Sequence, residues 1–133
     1  MTTFSPKDVV EQFMARIGAG DIDGAIEMHA DDIVIDFPGP PDELPWAGRW
    51  EGARAAEWYG ALGGALDIRH VVQHTCVAEG DKVVLIGDEV SASRKSGNEY
   101  SAPWCFLLTV RDGKIAAWQG FEDTHVIMSC APY

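Results

Sequence analysis

A chain of 133 residues, 47% of them apolar, is long enough for one domain that buries roughly two thirds of its unfolded surface. Its 21 acids against 10 bases leave a net charge of −11 with no basic run, which argues against nucleic-acid and anionic-membrane partners. The three cysteines, at 76, 105 and 130, are an odd set without metal-ligand spacing, and Cys76 and Cys105 fall in predicted strands as small hydrophobes. The N-terminus shows neither a basic n-region nor an apolar h-region, and no apolar run reaches membrane-spanning length, so a cytoplasmic protein with reduced thiols is expected.

Ser5-Pro6 is a good N-cap followed by proline at the first helical position. Val9, Val10, Phe13, Met14 and Ile17 then recur at helical spacing until Gly18 and Gly20 stop them. Asp21 caps a second, short helix with Ile22, Ala25, Ile26 and His29 on its inner face, where His29 is the lone polar group. It is either a core histidine with one hydrogen bond or a proton shuttle at the base of a pocket. Asp31-Asp32 turn the chain into a short strand over 33–37. The stretch 38–50 holds four prolines with Trp46 and Trp50, and is expected to be a stiff loop without regular structure, a lid over a ligand or a seal on the core edge. A third helix is predicted over 53–62, carrying Trp58 and Tyr59.

The remainder reads as a meander of strands over 66–77, 82–93, 100–110 and 115–123, joined at Gly80-Asp81, Ser96-Gly97 and Asp112-Gly113. At the last turn a two-residue loop would pair Arg111 with Lys114, and a three-residue loop with Gly113 left-handed would pair Val110 with Lys114. The bulged form is preferred, because it puts Trp104, Phe106, Trp118, Gly120 and Glu122 on one face. That face is aromatic, has a gap at a glycine and carries one acid, as the lining of a pocket would. A two-residue loop at Ser96-Gly97 sets Glu89 opposite Trp104 and adds it to the same face. A two-residue turn at Gly80-Asp81 would bring in His70 and His74, and a three-residue turn would aim them outward. Helices first and a long meander after them define an α+β domain with helices on one face of a curved sheet.

Four segments, GAGDIDGAIEMHADDIVIDFPGP, LPWAGRWEG, VAEGDKVVLIG and TVRDGKIAAWQGFEDT, resemble the ketosteroid-isomerase-like proteins of the SnoaL-like group, in the nuclear transport factor two superfamily. The resemblance implies a single SnoaL-like domain over residues 1–133, a cystatin-like, cone-shaped α+β barrel with N-terminal helices packed on a curved antiparallel sheet. It also implies a deep apolar pocket, a homodimer and no cofactor. The catalytic groups of its better-known branches do not carry over. The general base of ketosteroid isomerases falls on Phe37, their oxyanion-hole tyrosine on Phe13 and the paired acid on Phe106. Without such donors an enolate loses a stabilisation worth several kcal/mol. The histidine and aspartate of SnoaL-type polyketide cyclases fall on Phe106 and Gly120. Limonene-epoxide-hydrolase-type enzymes want an acid near Gly120 and an Arg-Asp pair on the strand 82–93, where none stands.

Candidates for chemistry are therefore Glu122 and Glu89, with His29 as a third. Trp104, Trp118, Phe106, Phe13, Phe37, Trp46 and His74 are the expected substrate contacts. A glutamate among such rings has its charged form disfavoured, which raises its pKa into the range of a usable general acid or base. The expected function is a cofactor-independent isomerase, cyclase, dehydratase or epoxide hydrolase acting on a small hydrophobic cyclic or polyketide-like molecule. The alternative is a non-catalytic protein of the same fold that binds a hydrophobic ligand or serves as a dimeric accessory. Asp36 is a reserve candidate if a bulge reverses its strand, and Asp123-Thr124 reads as a helix cap. Four histidines without paired spacing near acids predict no metal site. The opposite sheet face, with Leu107, Ala117 and Phe121, is apolar enough to suggest that two copies pair.

Overall fold

The computed structural model describes residues 4–133. Helix α1, Pro6–Gly18, begins at a capping box in which the Ser5 hydroxyl and the Asp8 carboxylate each accept the other's backbone N–H. Its apolar stripe buries Val9, Val10 and Phe13. Helix α2, Ile22–Glu27, is capped by Asp21 through the N–H of Gly24. Strands β1 (His29–Phe37) and β2 (Gly48–Glu51) follow, then a 3₁₀ turn over Gly52–Glu57 that runs into α3, Trp58–Ala65. The β-rich half comprises β3 (Leu66–Glu79), β4 (Lys82–Ser93), β5 (Glu99–Arg111) and β6 (Lys114–Glu122). Asp123 then caps α4, Thr124–Met128, by accepting the N–H of Val126.

One six-stranded sheet has the order β2-β1-β6-β5-β4-β3, with helices packed on its inner face. The α+β class is as expected, but two particulars differ. The sheet is mixed, because β1 lies parallel to β6 while every other neighbour is antiparallel. It is also open, with β2 and β3 as unpaired edges, so the barrel does not close. Strand β2 lies inside the stretch expected to be irregular. Its four prolines end at Pro45, turns closed on the carbonyls of Pro40 and Leu44 run on to Ala47, and from Gly48 nothing prevents pairing with β1. His29 also departs from expectation: α2 ends at Glu27, and His29 opens β1 opposite Ile115.

The β4-β5 and β5-β6 hairpins sit two residues away from the expected register with every side chain still on its expected face. At the last turn Asp112 and Gly113 take φ of 51° and 73°, a two-residue loop that pairs Arg111 with Lys114. A bulge at the level of Thr109 and Val110 then shifts the register once more, so that Trp104 faces Glu122 and Phe106 faces Gly120. The turn after β4 is longer than expected, and it sets Glu89 opposite Ala102 and Gly87 opposite Trp104. An even slip returns each side chain to its own face, whereas an odd one would have turned the pocket inside out.

Two glycines on the inner face let rings lie against the sheet itself. A Cβ on Gly87 would come within 2.3 Å of the Trp104 ring, and one on Gly120 within 2.1 Å of the Phe37 ring. The gap at Gly120 is therefore filled by Phe37.

Candidate functional site

Between the inner sheet face, α1 and α3 lies a cavity of about 740 Å³. Met14 and Ile17 of α1, Tyr59 and Leu62 of α3, and Val71 and Gln73 of β3 form its rim and sides. Its wall is a chain of rings. Trp104 stacks on Phe106 at 4.3 Å, Phe106 meets Trp118 edge-on at 5.3 Å, and Trp118 meets Trp58 at 4.8 Å. Phe37 stacks on Trp58 at 4.8 Å and closes the set. Such a wall binds flat apolar rings through area and edge-to-face geometry together.

Two carboxyl groups enter this apolar space. Glu122 accepts the indole N–H of Trp46 on Oε1 at 3.0 Å. Burial pushes its carboxyl up to about 7, against the pull of the Trp46 hydrogen bond and with help from the charge of Glu89. Glu89 is 8% exposed; burial raises it too, opposed by the Ser91 hydroxyl at 3.0 Å and the more distant Tyr100 hydroxyl at 3.5 Å. The charge of Glu89 reaches Glu122 and makes its ionisation harder. Tyr100 is itself pushed up by burial and by both carboxylates, so it remains a neutral donor.

The structure brings together Glu122, Glu89, Trp104, Trp118, Phe106 and Phe37 around this space. Four expected members stand elsewhere. Phe13 is wholly buried behind the wall, against His29 and the edge of Trp118. Trp46 is wholly buried as well, outside the lining, and serves the site through its bond to Glu122. His74 occupies a β3 bulge on the surface, with Nε2 3.4 Å from Asp88. His29 does not line the cavity; its Nε2 lies 2.7 Å from the Tyr59 hydroxyl, and burial holds its pKa down at about 4. Asp36 belongs to the opposite face, beside Arg49 and Gln119.

Tyr59 and Trp58, which line the cavity, and Tyr100, whose hydroxyl faces Glu89, are residues that the sequence does not assign to it. The one hint is on α3, where Trp58 and Tyr59 are the only aromatic side chains in a run of alanine, glycine and leucine. Among the described residues no group of three His, Cys, Asp or Glu is placed to hold a metal ion, and no helix is long and apolar enough to cross a membrane.

An open cone with helices over an inner apolar pocket defines the class of NTF2-like proteins. An NTF2-like protein from Burkholderia xenovorans superposes over 98% of both chains at 26% identity with a TM-score of 0.85. A Pseudomonas putida protein provisionally named a polyketide cyclase covers 97% of this chain and 99% of its own at 17% identity, with a TM-score of 0.77. A Bacillus subtilis protein provisionally named an isomerase covers 92% and 88% at 19% identity, with a TM-score of 0.75. More narrowly, residues 10–118 match the family described as the SnoaL-like domain, and the chain belongs to that family. No curated protein matches the sequence at a significant level.

Proposed function

We propose that the protein is a cofactor-independent acid/base enzyme acting on a small hydrophobic cyclic or polyketide-like substrate, with Glu122 and Glu89 moving the protons. The observation that carries this reading is Glu122, a carboxyl at the wall of an aromatic cavity whose protonation is balanced near pH 7. Trp46 occupies its Oε1, which leaves Oε2 as the oxygen free to take or give a proton. Glu89, held by Ser91 in the same cavity, supplies the complementary role: one carboxylate removes a proton from the substrate and the other, protonated, returns one elsewhere on it. The cyclase and isomerase names of the neighbouring structures agree with chemistry of this kind.

The test is a thermal-shift panel of cyclic ketones, steroids, aromatic polyketides and terpene epoxides, run on the wild type and Glu122→Gln. A compound that stabilises both and is consumed only by the wild type supports the enzyme. A compound that stabilises both and is recovered unchanged supports a binding protein instead. One observation favours that second reading. The Phe37 ring fills the space above Gly120, so two positions that carry acids in related enzymes are occupied by one apolar ring. We also propose that two copies pair through the outer sheet face, where Val72, Val77 and Phe121 are exposed. A monomeric elution volume at micromolar concentration would sink that part.

A further inference from the structure

The two carboxyls of the cavity are not held alike. Glu89 stands opposite Ala102 on β5, and Glu122 opposite Trp104, the next inward residue of that strand, so they reach the cavity from the two neighbours of β5. One row further along, Ser91 faces Tyr100, and both are buried. Ser91 donates to Oε2 of Glu89 at 3.0 Å, and Tyr100 donates to Oε1 at 3.5 Å. Glu89 therefore has a hydroxyl on each oxygen. Among the described residues Glu122 accepts one bond, from the Trp46 indole, and its Oε2 has no donor.

A donor aimed at a carboxylate stabilises the charged form, and does so more strongly where water is excluded. Burial raises both carboxyls; two hydroxyls oppose it at Glu89 and one indole opposes it at Glu122. An ionised Glu89 then makes the proton on Glu122 harder to remove. The other groups around the two are neutral or engaged elsewhere. Tyr133, beyond α4, is pushed up by burial and by both carboxylates, and its hydroxyl donates to the Ile127 carbonyl at 2.7 Å. Strand β3 sets Val71 opposite Glu89, and its Arg69 and His70 stand at the exposed rim, where Arg69 is paired with Asp67 and Glu99. Helix α1 presents Met14 and Ile17, and α3 the Tyr59 phenol, which burial keeps protonated.

We infer that Ser91 and Tyr100 are positioning residues that keep Glu89 ionised, so that Glu89 takes a proton from the substrate and Glu122 gives one. The inference rests on the acid/base reading proposed above and adds a direction to it. A substrate C–H bond breaks and an O–H bond forms on Glu89, while the electron pair stays with the substrate. The O–H bond on Oε2 of Glu122 breaks as its proton passes to a second atom of the substrate. Each carboxylate oxygen has two acceptor sites, so the hydroxyls on Glu89 leave room for the incoming proton. Exchange with solvent then returns Glu89 to the carboxylate and Glu122 to the acid, with no net gain or loss of protons.

The experiment is a pH titration of the free protein carrying carbon-13 in its glutamate side chains, followed by NMR. The carboxyl carbon of each glutamate then reports its own protonation. In the wild type Glu89 is expected to lose its proton at lower pH than Glu122, which leaves a window with the first ionised and the second protonated. Ser91→Ala should raise the Glu89 midpoint by about one pH unit, as the loss of one hydrogen bond to a charged group implies. Tyr100→Phe, which keeps the ring, should raise it by less, because its bond is longer. A merely structural hydroxyl would change stability and leave the midpoint in place. Glu89 titrating with Glu122 or above it in the wild type overturns the inference, and so does a Glu89 midpoint that either folded variant leaves unmoved. The wild-type order needs no substitution, so it decides the matter where a variant does not fold. Neither substrate nor turnover enters this measurement, so it and the Glu122→Gln panel fail or succeed separately.

Discussion

Asp88 and Glu89 are consecutive acids on one strand and occupy opposite environments. Asp88 points outward, its side chain is 62% exposed, and it meets His74 at 3.4 Å in solvent. Glu89 points inward, is 8% exposed, and is held by a serine hydroxyl in a wall of aromatic rings. The same alternation repeats at the end of β6, where half-buried Glu122 follows exposed Phe121. In a strand the period of two alone decides whether a carboxylate meets solvent or an apolar wall that disfavours its charge. The environment of an acid in this fold is therefore set by parity more than by composition.

The sharpest way to break that comparison is Glu122→Gln. Turnover of any substrate found by the panel should fall at least about 100-fold, while Asp88→Asn should leave it unchanged. In the wild type the pH dependence of kcat/KM should show a limb near pH 7 belonging to Glu122.

The same variant sharpens the comparison through stability. The Glu122 carboxyl is raised from 4.5 unfolded to about 7 folded, so the folded state binds its proton more tightly. Wild-type stability should decline as pH rises through that window and level off above it, whereas the glutamine variant does not share the decline. Above pH 7 the variant should be more stable by roughly 3 kcal/mol, and near pH 4.5 the two should coincide, as measured by urea denaturation at both ends.

Gly120→Ala comes next. Its new methyl would strike the Phe37 ring, and the overpacking should cost about 1–3 kcal/mol and loosen the ring set around Trp118, visible in near-UV circular dichroism. Trp46→Phe removes the hydrogen bond that favours the ionised carboxylate, so the pH limb of Glu122 should move upward with the fold retained. His74→Ala closes the series on the outer face. Its pair with Asp88 is solvated, and the change should stay within about 0.5 kcal/mol by thermal melting.

Helix starts, strand order in the meander and the inner faces of β4, β5 and β6 are legible in the sequence because they rest on local rules: a serine before a proline, turn glycines, alternation of apolar residues. Registers are less legible. The Asp112-Gly113 turn is tighter than expected, and a bulge further along cancels the change of face, a compensation that no local pattern announces. Ile22, Ala25 and Ile26 run toward His29 at helical spacing, and tertiary pairing with Ile115 overrides that pattern. Its partner Tyr59 lies 30 residues away, so their meeting is purely a product of the fold. The role of Trp46 is hidden for the same reason, since its acceptor is 76 residues further on.

The parallel pairing of β1 with β6 has a consequence for assembly. Strand β6 is the last of the six to be synthesised, yet it sits between β1 and β5 and is what joins β2-β1 to β5-β4-β3. Until it docks, the early and late halves of the sheet have no strand in common, and the exposed edges of β1 and β5 are open to wrong partners. Contacts this distant along the chain are slow to form. Trp118 and Glu122 ride on that strand, so the ribosome must deliver all six strands before the pocket can exist at all.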